Sequence, residues 1–146
     1  MININISNDY ISSLCYNNKY IEELSKKVLT SEECLNGTLS IILSNKAHLN
    51  KLKKEYFNLD VFTDVIAFNL EDKNDCLDGE IYISIEDVIE NAKIYSDSFN
   101  NEFSRVLIHG ILHLMGYNDT NKKEKEIMKN LENKYLSLVD KEFISV

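Results

Sequence analysis

A chain of 146 residues with 44% hydrophobic and 27% charged side chains has the makeup of one globular domain, long enough to bury about 70% of its unfolded surface without covalent staples. Its three cysteines, Cys15, Cys34 and Cys76, are odd in number and form no C-x-x-C pair, which excludes a disulfide framework and a zinc ribbon and points to a reducing compartment. A formal charge of −8 excludes a broad basic field, so any attraction for a nucleic-acid backbone has to be local.

In chain order, residues 2–6 alternate Ile and Asn like a short strand. Residues 18–29 carry Ile21, Leu24, Val28 and Leu29 at helical spacing. The β-branched run over 38–43 predicts a strand, and 46–56 a helix. Residues 63–70 and 80–85 read as further strands, apolar enough to lie inside a sheet. Ser84 with Asp87 caps a helix reaching about Tyr95, and Ser98 opens a long helix. Phe103, Val106, Leu107, Ile111 and Leu114 mark the buried side of that helix, leaving Arg105, His109 and His113 to face a cleft. Asn121 with Glu124 opens a last helix ending near Leu136, and the residues after Leu138 read as a short tail. The pattern is α+β: a mixed, mostly four-stranded sheet with packed helices, one domain over 1–146. No apolar run approaches ~18 residues and the N-terminus lacks a signal pattern, which predicts a cytoplasmic, soluble protein.

The chemistry concentrates in His109-Gly110-Ile111-Leu112-His113-Leu114-Met115-Gly116-Tyr117-Asn118-Asp119. A helix turns about 100° per residue, so two imidazoles four apart share one face and can share one metal ion. Gly116 stands where a left-handed residue ends a helix, letting the chain turn back and bring Asp119 under both rings. Two of the three histidines thus fall at ligand spacing. The third, His48, sits in a Lys-rich stretch without a partner pattern and reads as a solvated surface residue.

The spacing is similar to that of zinc peptidases, but their general-base Glu would occupy position 110, and Gly110 instead permits close approach of a neighbouring element. The run more closely resembles the H-G-x-L-H-L-x-G-Y-D-H signature of the YbeY family of rRNA-maturation endoribonucleases. His109, Gly110, Leu112, His113, Leu114, Gly116 and Tyr117 match, and Asn118-Asp119 replace the family's Asp-His. Upstream, Tyr56, Asp60, Thr63, Asp64, Val65 and Phe68 match a second family segment, with Phe57 in place of an Arg expected to face the substrate cleft. Gly79-Glu80-Ile81-Tyr82-Ile83 is similar to the family's G-D-I-x-I strand. The matches span about residues 50 to 125, in the right order.

The resemblance implies a metal-dependent single-strand endoribonuclease acting in 16S rRNA 3′-end maturation and ribosome quality control. Its partners would be rRNA, the small ribosomal subunit and an Era-type GTPase. His109, His113 and Asp119 would hold one divalent ion, zinc being the first candidate. A carboxylate in place of a third imidazole raises the standing of iron and manganese. His113 and Arg105 are the expected catalytic residues. Arg105, the only arginine, lies one turn before His109, and its fork suits a phosphate in place of the Arg missing at 57. The competing reading is an ordinary ion pair with Glu102 or another acid.

Smaller expectations complete the reading. Thr63 and Asp64 belong at the cleft edge, with Asn50 or Asp60 ordering the loop, and Tyr117 packs under the site. Lysines 46, 51, 53 and 54, and 122, 123, 125 and 129, are either an RNA rim or solvated helix faces. Two other classes stay open: a non-catalytic ribosome assembly factor with a structural metal, the stronger rival because of the Arg missing at 57, and a metal-dependent peptidase borrowing Asp64 or Glu80 as its base.

Overall fold

The computed structural model of the protein describes residues 1–11, 14–57, 63–70, 76–138 and 144–145. Along the chain lie β1 (Ile2–Asn8), β2 (Cys15–Tyr16), α1 (Asn18–Ser31), β3 (Gly37–Ser44), α2 (Lys46–Phe57) and β4 (Val65–Asn69), then β5 (Leu77–Ser84), α3 (Ile85–Ile94), α4 (Phe99–Leu114), α5 (Lys122–Leu136) and β6 (Ile144–Ser145). The mixed four-stranded sheet has the order β1-β3-β5-β4, with β1, β3 and β5 parallel and β4 antiparallel to β5. Parallel neighbours need long crossovers. Helix α1 lies in the first, between β1 and β3, while α2 and β4 lie in the second.

Polar side chains set the helix starts. Asn17, Ser84, Ser98 and Asn121 each accept a hydrogen bond from the backbone N–H three residues on, satisfying a donor that the helix itself leaves unpaired. Glu124 returns its carboxylate to the N–H and hydroxyl of Thr120, one residue before the predicted partner. Two expectations need correction. The C-terminal stretch is more than a tail, because Ile144–Ser145 pairs antiparallel with Cys15–Tyr16; a two-residue strand is too short to leave a periodic signal. His48 is half-buried, its Nδ1 bonded to Ser44 Oγ at 2.7 Å and its ring edge-on to Tyr82. The expected loop role of Asp60 lies outside the described residues, and Asn50 sits within α2.

Helix α4 is the axis of the molecule. Strands β4 and β5 and helices α1, α3 and α5 all pack on it. From Glu102 to Leu114 every residue is buried except Arg105, His109 and His113. The predicted buried side is observed, and Ile108 and Leu112 join it because neighbours surround the helix. One turn apart, the three remaining residues form a single polar stripe along an otherwise enclosed helix. Among the described residues, no helix is long and apolar enough to cross a membrane.

Close helix–sheet contact fixes the height of that stripe above β4 and β5. A Cβ on Gly110 would lie 3.0 Å from Ile81 Cγ2 and 3.1 Å from Val65 Cγ2, so glycine lets the helix settle onto the sheet, as the sequence suggested. The other end of the stripe is closed by Gly116, at φ +100°. Gly116 N–H donates to the His113 carbonyl and Tyr117 N–H to the Leu112 carbonyl, at 3.1 and 3.0 Å. This pair of reverse bonds is the Schellman ending, and it turns the chain back toward the histidines. Gly110→Val overfills a gap in which even one methyl is tight. It is expected to destabilise the protein by about 2 kcal/mol in chemical denaturation, and an unchanged midpoint would contradict the contact.

Candidate metal centre

Three ligand atoms converge at the end of the stripe. His109 Nε2 and His113 Nε2 are 3.0 Å apart, and Asp119 Oδ2 lies 3.3 Å from the first and 3.6 Å from the second. Donors at about 2.0–2.2 Å from a tetrahedral zinc are about 3.3–3.6 Å from one another. The triangle therefore has the size of one face of a metal's coordination shell. His109, His113 and Asp119 form a group able to hold a metal ion, as the sequence predicted.

Hydrogen-bond roles show why the group suits a cation. His109 Nδ1 is 2.5 Å from Glu132 Oε2. A carboxylate only accepts, so Nδ1 carries the proton and the neutral ring turns a lone pair on Nε2 toward the triangle. The His113 ring bonds to the Tyr117 backbone. Two imidazole nitrogens and a carboxylate oxygen thus face one point, an electron-rich arrangement that a divalent ion neutralises. Burial alone would lower the His109 pKa, but Glu132, Asp119 and Asp64 outweigh it and hold the ring above its usual value. Burial and the neighbouring His109 push His113 below its usual value.

Glu132 is the residue that sequence reasoning missed. It lies on α5, with its side chain only 10% exposed. Its other oxygen, Oε1, accepts from Arg105 Nη1 at 3.0 Å. Arg105 Nη2 donates to Asn133 Oδ1, also at 3.0 Å. Both ends of the guanidinium fork are therefore engaged, and the ion-pair reading of Arg105, with Glu132 as its acid, describes the geometry. The signal was present on α5, where Met128, Glu132 and Tyr135 share the buried face. A carboxylate on an apolar stripe needs a polar partner.

Two adjoining clefts of about 590 and 620 Å³ open on the triangle, and Asp64, His109 and Asp119 line both. The first runs between α3, α4 and α5, past Asn91, Glu102, Arg105 and Glu132, with Lys125 and Lys129 on its wall. The second opens past His113 toward Lys53, Phe57 and Thr63. Phe57 thus faces the cleft where the family Arg was expected. Asp64, whose Oδ2 accepts from Asn91 at 3.2 Å, is held above the usual carboxylate range chiefly by burial. Tyr117 points away, its hydroxyl donating to Glu32 Oε1 at 2.8 Å, which matches the packing role. Glu80 pairs with Tyr82 on the sheet.

Burial first, and then the Asp64 charge, push the Glu102 carboxyl up to about 7. An acid with a raised folded pKa binds more protons folded than unfolded, so this group destabilises the fold as pH rises from its ordinary pKa through about 7. Glu102→Gln is therefore expected to melt progressively higher than wild type between about pH 5 and about pH 8. A difference independent of pH would contradict the raised pKa.

Comparison with known proteins fits this geometry. The family model described as Endoribonuclease YbeY matches residues 3–140. A curated Endoribonuclease YbeY of Flavobacterium johnsoniae is 36% identical over 138 residues, covering 94% of this chain and 96% of that protein. The Endoribonuclease YbeY of Fusobacterium nucleatum is 39% identical over 140 residues, covering 89% and 85%. The solution structure of TM1509 from Thermotoga maritima superposes with a TM-score of 0.61 at 29% identity, covering 92% of this chain and 87% of that one. With the family model matched over nearly the whole chain and full-length relatives at 36–39% identity, the chain belongs to the endoribonuclease YbeY family.

Proposed function

We propose that this protein is a metal-dependent endoribonuclease that cuts single-stranded RNA in 16S rRNA 3′-end maturation and in ribosome quality control. It works in the cytoplasm on the small ribosomal subunit, with an Era-type GTPase as a further partner. The observation that carries the reading is the triangle of His109, His113 and Asp119, its His109 lone pair set by Glu132, in a chain of this family. Zinc is the first candidate ion, ahead of iron and manganese.

When bound, the ion supplies Lewis-acid chemistry to a phosphodiester and acidifies water. The chain's own residues do the rest. His109, His113 and Asp119 hold the ion. Glu132 keeps the proton on His109 Nδ1, and Arg105 holds Glu132 in place, so Arg105 is a positioning residue. Asp64 lies on the wall of both clefts beside the ligand triangle, where its carboxylate can take a proton from attacking water. Lys53 in the second cleft and Lys125 and Lys129 in the first draw the RNA backbone locally, against an overall charge of −8.

The test is metal analysis of the purified protein together with cleavage of an rRNA precursor. Wild type is expected to hold one ion per chain and to cleave. His113→Ala should lose both ion and cleavage while still binding the small subunit. Glu132→Ala should bind the ion about 10–100-fold more weakly. Metal-loaded wild type that cleaves nothing, even with small subunits added, would leave the assembly-factor role in place of the enzyme.

A further inference from the structure

The second cleft ends in a cluster of rings that the metal chemistry does not use. Phe57, the last residue of α2, is 42% exposed. Its ring stacks on Phe68 with centroids 5.6 Å apart and planes 21° apart. Phe68 is braced edge-on by Tyr56 and by Tyr82, at 5.4 and 5.8 Å. The Lys53 ammonium lies 4.6 Å from the Phe57 centroid. Phe57 and Lys53 line the same cleft as His109, His113 and Asp119.

We propose that Phe57 is a stacking platform for one unpaired base of the RNA, with Lys53 holding the neighbouring phosphate. This rests on the endoribonuclease reading above and adds the means by which the cleft selects single strands. An exposed ring backed by a second ring gives a base a flat, rigid apolar surface, and every base has a face to stack on it. Stacking a base on an aromatic side chain outweighs an exposed cation–π contact, so a base takes the ring from the ammonium. Lys53 is then released at the cleft mouth, where a phosphate of the same nucleotide supplies the opposite charge. Bases in a duplex are already stacked on one another and cannot reach the ring, so the platform discriminates against paired RNA. Charge argues for the same occupant. Lys46 and Lys51 on α2 are engaged by Asp87, Glu90 and Glu55, whereas Lys53 is turned to a neutral ring in the cleft.

The experiment is equilibrium binding of a fluorescent single-stranded oligoribonucleotide in EDTA, which strips the protein's own ion so that nothing is cut. It compares wild type, Phe57→Leu and Phe57→Trp, each with the intact strand and with a series carrying one abasic nucleotide. Phe57→Leu keeps apolar bulk but has no flat face, and its Kd should rise about 5- to 100-fold, whereas Phe57→Trp should bind at least as tightly as wild type. At one position the abasic strand should cost wild type most of that factor and cost Phe57→Leu almost nothing. Lys53→Ala should lower the salt slope by about one phosphate contact. Phe57→Leu binding like wild type, or an abasic loss equal in both proteins at every position, would overturn the platform while leaving the nuclease reading intact. Wild type failing to bind the intact strand would overturn both.

Discussion

The hydrogen bond between Glu132 and His109 is the contact on which the rest of the site depends. A histidine becomes a metal ligand only when the nitrogen facing the ion is unprotonated, and a fixed acceptor behind the ring is what guarantees it. Glu132 supplies that acceptor from α5 and is itself held by Arg105 from α4, so the two helices are joined through a polar chain running Asn133, Arg105, Glu132, His109. Removing Glu132 would leave a half-buried guanidinium and imidazole without their partner, which costs more than the bonds contribute on balance.

Enclosure of α4 makes this chain rigid. Strands and helices surround the helix so completely that Arg105, His109 and His113 are its only residues past the first turn that are not buried. The stripe is therefore held by apolar packing on all other sides, while Gly110 sets its distance from the sheet and Gly116 brings Asp119 round. Precision at the ligand triangle comes from a packed core, and the two clefts on either side provide access. Acidic groups crowd the first cleft, where Glu102 and Asp64 keep their protons to higher pH than usual. The second cleft carries Lys53 and the Phe57 ring. An acidic protein can thus meet a polyanion through one local face without a basic surface overall.

Much of this was legible in the sequence because the signals were local. The His109–His113 spacing, Gly116 and Asp119 lie within eleven residues, and helix geometry alone brings them together. The caps at Ser84, Ser98 and Asn121 and the runs that became β3, α2 and β5 were local too. Glu132 was not, since the bond to His109 spans 23 residues and two helices, and nothing short-range sets that register. Arg105 was open between phosphate and ion pair for the same reason: its partner sits on another element. His48 looked like one more polar residue in a Lys-rich helix because its partner Ser44 lies across the β3–α2 junction. Phe57, read as a departure from the family pattern, acquires a place only when Phe68 and Lys53 are seen against its ring.

The most direct test of the central claim is nitrogen NMR of the histidine rings in the metal-free protein, followed by zinc titration. The expectation is that neutral His109 carries its proton on Nδ1, with Nε2 unprotonated, and that the Nε2 signal is the one that moves as zinc binds. A His109 protonated on Nε2 when neutral, or a ring whose signals ignore the ion, would contradict it.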